Sequence, residues 1–254
     1  MFLLADLADV PCEQALAALL PEERALSDAM AAARRHEFAV GRMLARAALL
    51  RLGFAQDAPV MRGERGEPLW PKGIAGSIAH TKQKAAVALA ARWPGPYSPG
   101  IDLEHIERGL SDPAWEHIRS PSEEEFFSAS VEQKQDVSVL ARTRMSDASA
   151  QGQPLRMIVF SCKESLYKAL YPVCGAYFGF HDAGVTRESA AVLQARFSSE
   201  AQDLSRQTGW LTLVLHRALG DAFPAGSAFC CHYEINDGHV LTALMPKPEP
   251  AGSD

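Results

Sequence analysis

The stretch Phe160-Ser161-Cys162-Lys163-Glu164-Ser165-Leu166-Tyr167-Lys168-Ala169-Leu170 carries two periodicities at once. Cys162, Leu166, Ala169 and Leu170 recur at i, i+4, i+7 and i+8, the apolar stripe of a helix packed on a core. Glu164 and Lys168 stand four apart with the acid first, on a second face. Ser161 reads as an N-cap and Glu164 as the N3 residue of a capping box. Pro172 and Gly175 bring the run to a stop. On this segment alone, Glu164 and Lys168 are accounted for as a solvated surface pair. Any chemistry has to be argued from the rest of the chain.

Sixty residues upstream, Gly100-Ile101-Asp102-Leu103-Glu104 alternates like a strand. Ile101 and Leu103 take one side, Asp102 and Glu104 the other, with the two acids about 6.5–7 Å apart at the backbone. Facing water, the acids need no explanation. Partly buried, two like charges call for a hard cation. Trp93-Pro94-Gly95-Pro96-Tyr97-Ser98-Pro99, just before, is the natural boundary between two halves, 1–98 and 99–246.

Further upstream, residues 13–52 read as helical, with a break at Pro21 and a longer helix from about Pro21 to Leu52. Arg35, Arg42 and Arg46 fall on one face of it, with Arg34 at the margin. Two explanations stay open for that row: a solvated face, or a seat for a phosphorylated ligand. Residues 59–80 form a long loop rich in Gly and Pro, which leads into a strand at 85–90 and leaves His80 at a strand–loop junction. A lone His in such a place is commonly structural.

Downstream, Pro121-Ser122-Glu123-Glu124-Glu125 opens a helix with acids in its first turn. Residues 141–155 are the most polar stretch and read as a mobile loop. Strands are expected at 191–198, 210–216, 227–235 and 238–245, the last two joined by a hairpin turn at Asn236-Asp237-Gly238. The tail from Pro246 to Asp254 is expected to fray.

The 254 residues, 47% hydrophobic and 22% charged, are of ordinary globular composition and suffice for one large domain or two smaller ones. A net charge of −6 argues against nucleic acid as a partner and makes any local basic cluster more telling. Five cysteines without paired spacing indicate reduced thiols and no zinc site. The N-terminus lacks a basic region ahead of its short apolar run, and no run is long enough to span a bilayer; a cytoplasmic protein is expected. Nucleotide P-loop, dinucleotide-binding, zinc-protease and nucleophile-elbow motifs are all missing.

Taken in order, four motifs resemble one family. Gly-Ile-Asp-Leu-Glu at 100–104 and Phe-Ser-Cys-Lys-Glu-Ser-Leu-Tyr-Lys-Ala at 160–169 are similar to the paired signature of the 4′-phosphopantetheinyl transferases. The loop Gly63-Glu-Arg-Gly-Glu-Pro-Leu-Trp-Pro-Lys-Gly-Ile-Ala-Gly-Ser-Ile-Ala-His80 resembles a motif of the larger, pseudodimeric branch. Arg34-Arg35-His36-Glu37-Phe38, followed by Arg42 and Arg46, resembles that branch too, which includes the enterobactin-synthetase component D and surfactin-synthetase-activating types. Ala79 stands where the family often carries a hydroxyl, and the 141–155 segment is longer than usual.

The resemblance implies an α/β (α+β) fold of two similar halves, each a small sheet packed by a long helix, with the ligand in the cleft between them. It also implies a reaction: the 4′-phosphopantetheine arm of coenzyme A moves to a serine hydroxyl of an acyl or peptidyl carrier protein, releasing adenosine 3′,5′-bisphosphate. By the same resemblance, Asp102, Glu104 and Glu164 hold magnesium against the pyrophosphate, and Glu164, directly or through a water, takes the serine proton. Lys168 neutralises charge on the bridging or leaving phosphate. Arg34, Arg42, Arg62 and His80, with Arg65 as a further candidate, hold the 3′-phosphate and pyrophosphate. A monomer with an internal pseudodimer is expected, docking its carrier through apolar residues and local Lys/Arg patches. The rivals are another magnesium-dependent enzyme that cleaves a phosphoanhydride, such as a hydrolase, and a non-catalytic carrier-binding module.

Overall fold

A computed structural model describes residues 1–55, 58–93, 95–132, 153–197 and 205–244. The chain divides into two units: Met1–Leu103 with Ser165–Gly175, and Glu104–Glu164 with Ala176–Asp254. Of the loop expected at 141–155, residues 141–152 lie outside the described residues, as does the tail from 246, while 153–155 are the start of a helix and not a loop.

In the first unit, strands β1 (Phe2–Asp6), β4 (Ile74–His80) and β5 (Lys84–Ala91) form a three-stranded antiparallel sheet in the order β1-β5-β4. Its residues Val87 and Leu89 bury one face against Phe38, Val40, Leu44, Ala45 and Leu49 of α3 (Ala32–Arg51). Small helices α1 (Cys12–Ala17) and α2 (Pro21–Ser27) precede α3. The single helix expected from Pro21 to Leu52 is therefore two, broken at residues 28–31. The reason is Glu23, wholly buried and ion-paired to Arg46. On one straight helix those residues would lie about 35 Å apart, so α2 has to fold back.

The loop at 59–80 holds a two-stranded hairpin, β2 (Met61–Arg62) with β3 (Pro68–Leu69), and then β4 itself. Its turn closes through the Gly63 amide on Glu67 O at 2.8 Å, and Gly66 takes a φ of +92° that a side chain would strain.

Strand β6 (Gly100–His105) starts in the first unit and ends in the second. The second unit's sheet runs β6-β10-β9-β8-β7, with β7 at Ala183–Val185, β8 at Arg206–Leu215, β9 at Ala228–Asn236 and β10 at His239–Leu244. Leu211, Leu213 and Leu215 alternate inward on β8, as Phe229, Cys231, Tyr233 and Ile235 do on β9. The expected hairpin forms: Asp237 and Gly238 have φ of +50° and +68°, the two positive values that a two-residue primed turn needs.

The remaining helices are α4 (Asp112–Ile118), α5 (Pro121–Glu132), α6 (Gln153–Cys174) and α7 (Arg187–Phe197). Of segment 191–198, expected as a strand, the described residues 191–197 are the later part of α7, whose Ala190, Leu193 and Phe197 are buried at i, i+3 and i+7. The stripe Cys162, Leu166, Ala169 and Leu170 on α6 is fully buried as expected. Yet α6 begins at Gln153, so Ser161 is an interior residue and not a cap. Its hydroxyl donates to Thr242 Oγ1 at 2.9 Å, tying α6 to β10. Pro172 sits inside the last turn without ending it; the stop is Gly175, with φ of +64° and its amide on Tyr171 O at 2.8 Å.

Candidate functional site

Helix α3 lies close on β4 because Gly41 has no side chain; a Cβ there would stand 3.1 Å from Ile78 Cγ2. Beyond that contact, Arg34, Glu37, Phe38 and Arg42 of α3 face His80 of β4, Arg62 and Gly66 of the hairpin, and Lys168 of α6. Together they line a cavity of about 230 Å³ within the first unit. Four cationic side chains stand against one carboxylate there, a field that selects an anion.

Each cation is held in its own way. Arg42 lays its guanidinium over the Phe38 ring, 4.4 Å from the centroid, and donates Nε–H to Val60 O at 2.7 Å. Burial, with Arg62, Arg46 and Arg34 adding repulsion and Glu23 opposing it, brings its pKa down to about 10; it remains charged at neutral pH. Arg34 Nη1 donates to Glu37 Oε2 at 3.1 Å and also contacts the His80 ring. Burial first, then Arg34 and Lys168, pulls His80 down to about 3, against the pull of Asp102. His80 is therefore a neutral imidazole at physiological pH.

Lys168 joins this cavity to the acidic strand: its Nζ donates to Asp102 Oδ1 at 2.7 Å. Asp102 is buried, and a Ser77 hydroxyl that accepts the Ile101 amide at 2.8 Å fixes β6 beside β4. Glu104, two residues along β6, has a side chain 13% exposed and accepts from Arg108 Nη1 at 2.9 Å. Glu164 is half-buried on α6, one turn before Lys168.

Both strand acids are thus withdrawn from water, but each has a cationic partner, Lys168 for Asp102 and Arg108 for Glu104, so their burial does not by itself call for a metal. Among the described residues, no three His, Cys, Asp or Glu side chains gather as a metal-ready group. The donors nonetheless suit magnesium in kind, because that ion takes one or two carboxylates and completes its shell with phosphate oxygens and water.

Of the residues singled out from sequence, Arg34, Arg42, Arg62, His80 and Lys168 surround one cavity, with Asp102 attached through Lys168. Arg65 is exposed in the hairpin turn and does not line it. The row of arginines divides residue by residue. Arg46 goes to buried Glu23 and Ala18 O, and Arg35 stands 3.9 Å from Asp28, so neither reaches the cavity. Sequence reasoning missed Glu37 and Phe38, although their spacing of i+3 from Arg34 and i−4 from Arg42 places them beside those cations.

It also missed Lys163, whose Nζ is buried and donates to Glu123 at 2.6 Å, Ile118 O at 2.8 Å and Phe180 O at 3.0 Å. Burial holds this ammonium below its ordinary range even against the pull of Glu123.

The same stretches carry likeness to known proteins. Residues 22–90 match the 4′-phosphopantetheinyl transferase N-terminal domain, and residues 98–221 match the 4′-phosphopantetheinyl transferase superfamily. Over 230 residues, 89% of this chain and 85% of the relative, the chain is 30% identical to the 4′-phosphopantetheinyl transferase PptT of Mycobacterium tuberculosis. It is 36% identical over 167 residues, 65% of this chain and 59% of the relative, to the 4′-phosphopantetheinyl transferase Svp of Streptomyces mobaraensis. It is 29% identical over 215 residues, 83% of this chain and 82% of the relative, to the 4′-phosphopantetheinyl transferase Npt of Nocardia iowensis. With matches that run through both the arginine helix and the acidic strand, this chain belongs to the 4′-phosphopantetheinyl transferase superfamily.

Proposed function

We propose that the cavity beneath α3 seats the phosphates of coenzyme A and that Lys168 carries the pyrophosphate toward Asp102. The observation behind this reading is the cavity's charge: Arg34, Arg42, Arg62 and Lys168 against Glu37, in a chain whose net charge is −6. Guanidinium forks match phosphate oxygens, and a lysine ammonium is a point charge suited to a bridging or leaving oxygen. Arg65, exposed in the nearby turn, contributes to the approach of the anion.

In the reaction, a carrier-protein serine oxygen attacks the phosphorus that bears the pantetheine arm. The bond from that phosphorus to the bridging oxygen breaks, and adenosine 3′,5′-bisphosphate leaves. Glu164 accepts the serine proton, directly or through a water. Lys168 neutralises the charge that grows on the leaving phosphate, and Arg34, Arg42 and Arg62 hold the nucleotide still while this happens. Transfer of this kind needs positioning and charge neutralisation more than covalent help.

Asp102, Glu104 and Glu164 would hold magnesium, whose chemistry when bound is to neutralise the pyrophosphate. No helix among the described residues is long and apolar enough to cross a membrane, and we place the enzyme in the cytoplasm as a monomer of two halves, 1–98 and 99–246.

The test is incubation with coenzyme A, magnesium and a panel of apo acyl and peptidyl carrier proteins, followed by mass spectrometry of each carrier. Gain of one phosphopantetheine on the carrier serine is expected. Cleavage of coenzyme A with no gain on any carrier would instead make the protein a hydrolase, and neither product would leave a carrier-binding module.

A further inference from the structure

Among the described residues that line the cavity, Glu37 is the sole acid, in a place where every other charge favours an anion. A carboxylate there opposes the ligand, so its presence asks for a reason. Its side chain is only 13% exposed. Its Oε2 lies 3.1 Å from Arg34 Nη1 and 3.2 Å from His80 Nδ1, while Arg34 Nη1 touches both ring nitrogens, Nδ1 at 3.1 Å and Nε2 more closely.

A neutral imidazole has one ring proton to place. The carboxylate beside Nδ1 draws it there, while a guanidinium against Nε2 requires a bare lone pair. Arg34 approaches Nε2 more closely than Nδ1, and Glu37 faces Nδ1, so the tautomer that serves both neighbours carries its proton on Nδ1. We propose that Glu37 is a positioning residue that locks His80 in its Nδ1-protonated tautomer, so that Nε2 and the Glu37 carboxylate together fix the Arg34 guanidinium for the incoming phosphate. Two acceptors on one guanidinium restrict its rotamers before the ligand arrives, which lowers the ordering cost of binding. Without Glu37 the proton is free to move to Nε2, where it meets the Arg34 donor head-on, and the guanidinium swings away. The depressed pKa of His80 agrees, since it keeps the ring neutral and the tautomer defined. This inference rests on the coenzyme A reading of the cavity.

The tautomer is readable without any ligand, so failure of that reading and failure of this proposal appear in different measurements. Long-range ¹H–¹⁵N correlation spectra of the histidine-labelled wild-type protein are expected to show His80 with Nδ1 protonated and Nε2 unprotonated; an Nε2-protonated ring or an even mixture overturns the proposal. In Glu37→Gln the coenzyme A KM is expected to rise about tenfold, with kcat changed less than about threefold. In an Arg34→Ala background the same substitution should add less than about twofold, because the group it positions is gone. An equal loss in both backgrounds would show that Glu37 acts independently of Arg34 and would sink the idea.

Discussion

Gly100 offers a single-atom test of how the fold makes the site. A Cβ built on it would lie 2.1 Å from Ser165 O, 2.7 Å from Ala169 Cβ and 2.8 Å from the Ala169 amide nitrogen. These are backbone and stem atoms of α6 that cannot rotate out of the way. Restoring ordinary contact means parting β6 from α6 by more than about 1 Å, in a core that has no slack to absorb it. Lys168 belongs to that turn of α6, and Asp102 is two residues along β6, so their 2.7 Å ion pair opens beyond hydrogen-bond range. Overpacking of this kind costs about 1–3 kcal/mol, and the backbone clash puts Gly100→Ala at the upper end. A displacement of about 1 Å near reacting groups costs roughly 10²-fold in rate. The assays are kcat/KM for carrier labelling and scanning calorimetry. Expected are a loss near 10²-fold and a drop of about 5–10 °C. Gly179, which has nothing within 4 Å of its added Cβ, is the control: Gly179→Ala should change stability by less than about 0.5 kcal/mol. If Gly100→Ala labels carrier within threefold of the parent and melts with it, the close approach of β6 to α6 does not set the site.

Four further comparisons test neighbouring claims. Lys163→Met leaves the Glu123 carboxylate buried without its cation and should cost about 3–5 kcal/mol, read as a lower urea midpoint; a loss under about 1 kcal/mol would mean that water reaches the pair. Arg62→Ala should raise the coenzyme A KM well beyond Arg65→Ala, since only Arg62 lines the cavity, and equal effects would contradict that sorting. Glu164→Gln should lower kcat by about 10²-fold or more, as loss of a general base does, and chelation should abolish labelling until magnesium returns; a variant as fast as the parent removes the base assignment. Between its ordinary pKa of 6.5 and about 3, His80 takes a proton in the unfolded chain that the folded chain refuses. Its contribution is therefore complete above 6.5 and is lost as the pH falls toward 3. Urea midpoints measured across that window should show a shallower acid-side slope in His80→Asn, and an unchanged slope would mean that His80 titrates normally.

What the sequence revealed follows from how local each signal is. The Cys162–Leu166–Ala169–Leu170 stripe needs only helical spacing, and the Asp237-Gly238 turn needs only two residues that tolerate positive φ. Ser161 was misread because Ser-x-x-Glu is also a capping box; what decides its role is Thr242, 81 residues away. The α6 turns before it were hidden by Met157, Ile158 and Val159, all fully buried, whose consecutive apolar side chains show no period. Segment 191–198 was read as a strand because the window began too late. Taken from Arg187, its buried residues fall at helical spacing. Spacing alone does not say which arginine of the helix faces the cavity, because Arg46 is claimed by Glu23, 23 residues earlier in sequence; it is the family resemblance that singles out Arg34 and Arg42.

That division of the arginines has an energetic meaning. Arg46 has a buried counter-charge, and its pairing is complete without a ligand. Arg42 is at least as buried, but it has two carbonyls and an aromatic face where a carboxylate could have been, and it feels Arg62 and Arg34 nearby. A guanidinium brought down to about 10, by burial first and by its arginine neighbours after that, is one whose charge the fold disfavours, and an anion placed beside it would offset part of that cost. His80 is kept neutral by burial first and by Arg34 and Lys168 next, so it adds no carboxylate-seeking charge of its own. A phosphate entering among these groups gains their attraction and removes their mutual repulsion in one step. A scattering of arginines on an open surface, screened by salt and water, would provide much less. The acidic balance of the whole chain is thus no obstacle to binding a polyanion: what matters is that α3, β4, the hairpin and α6 bring like charges together around a cavity that, among the described residues, only one acid lines.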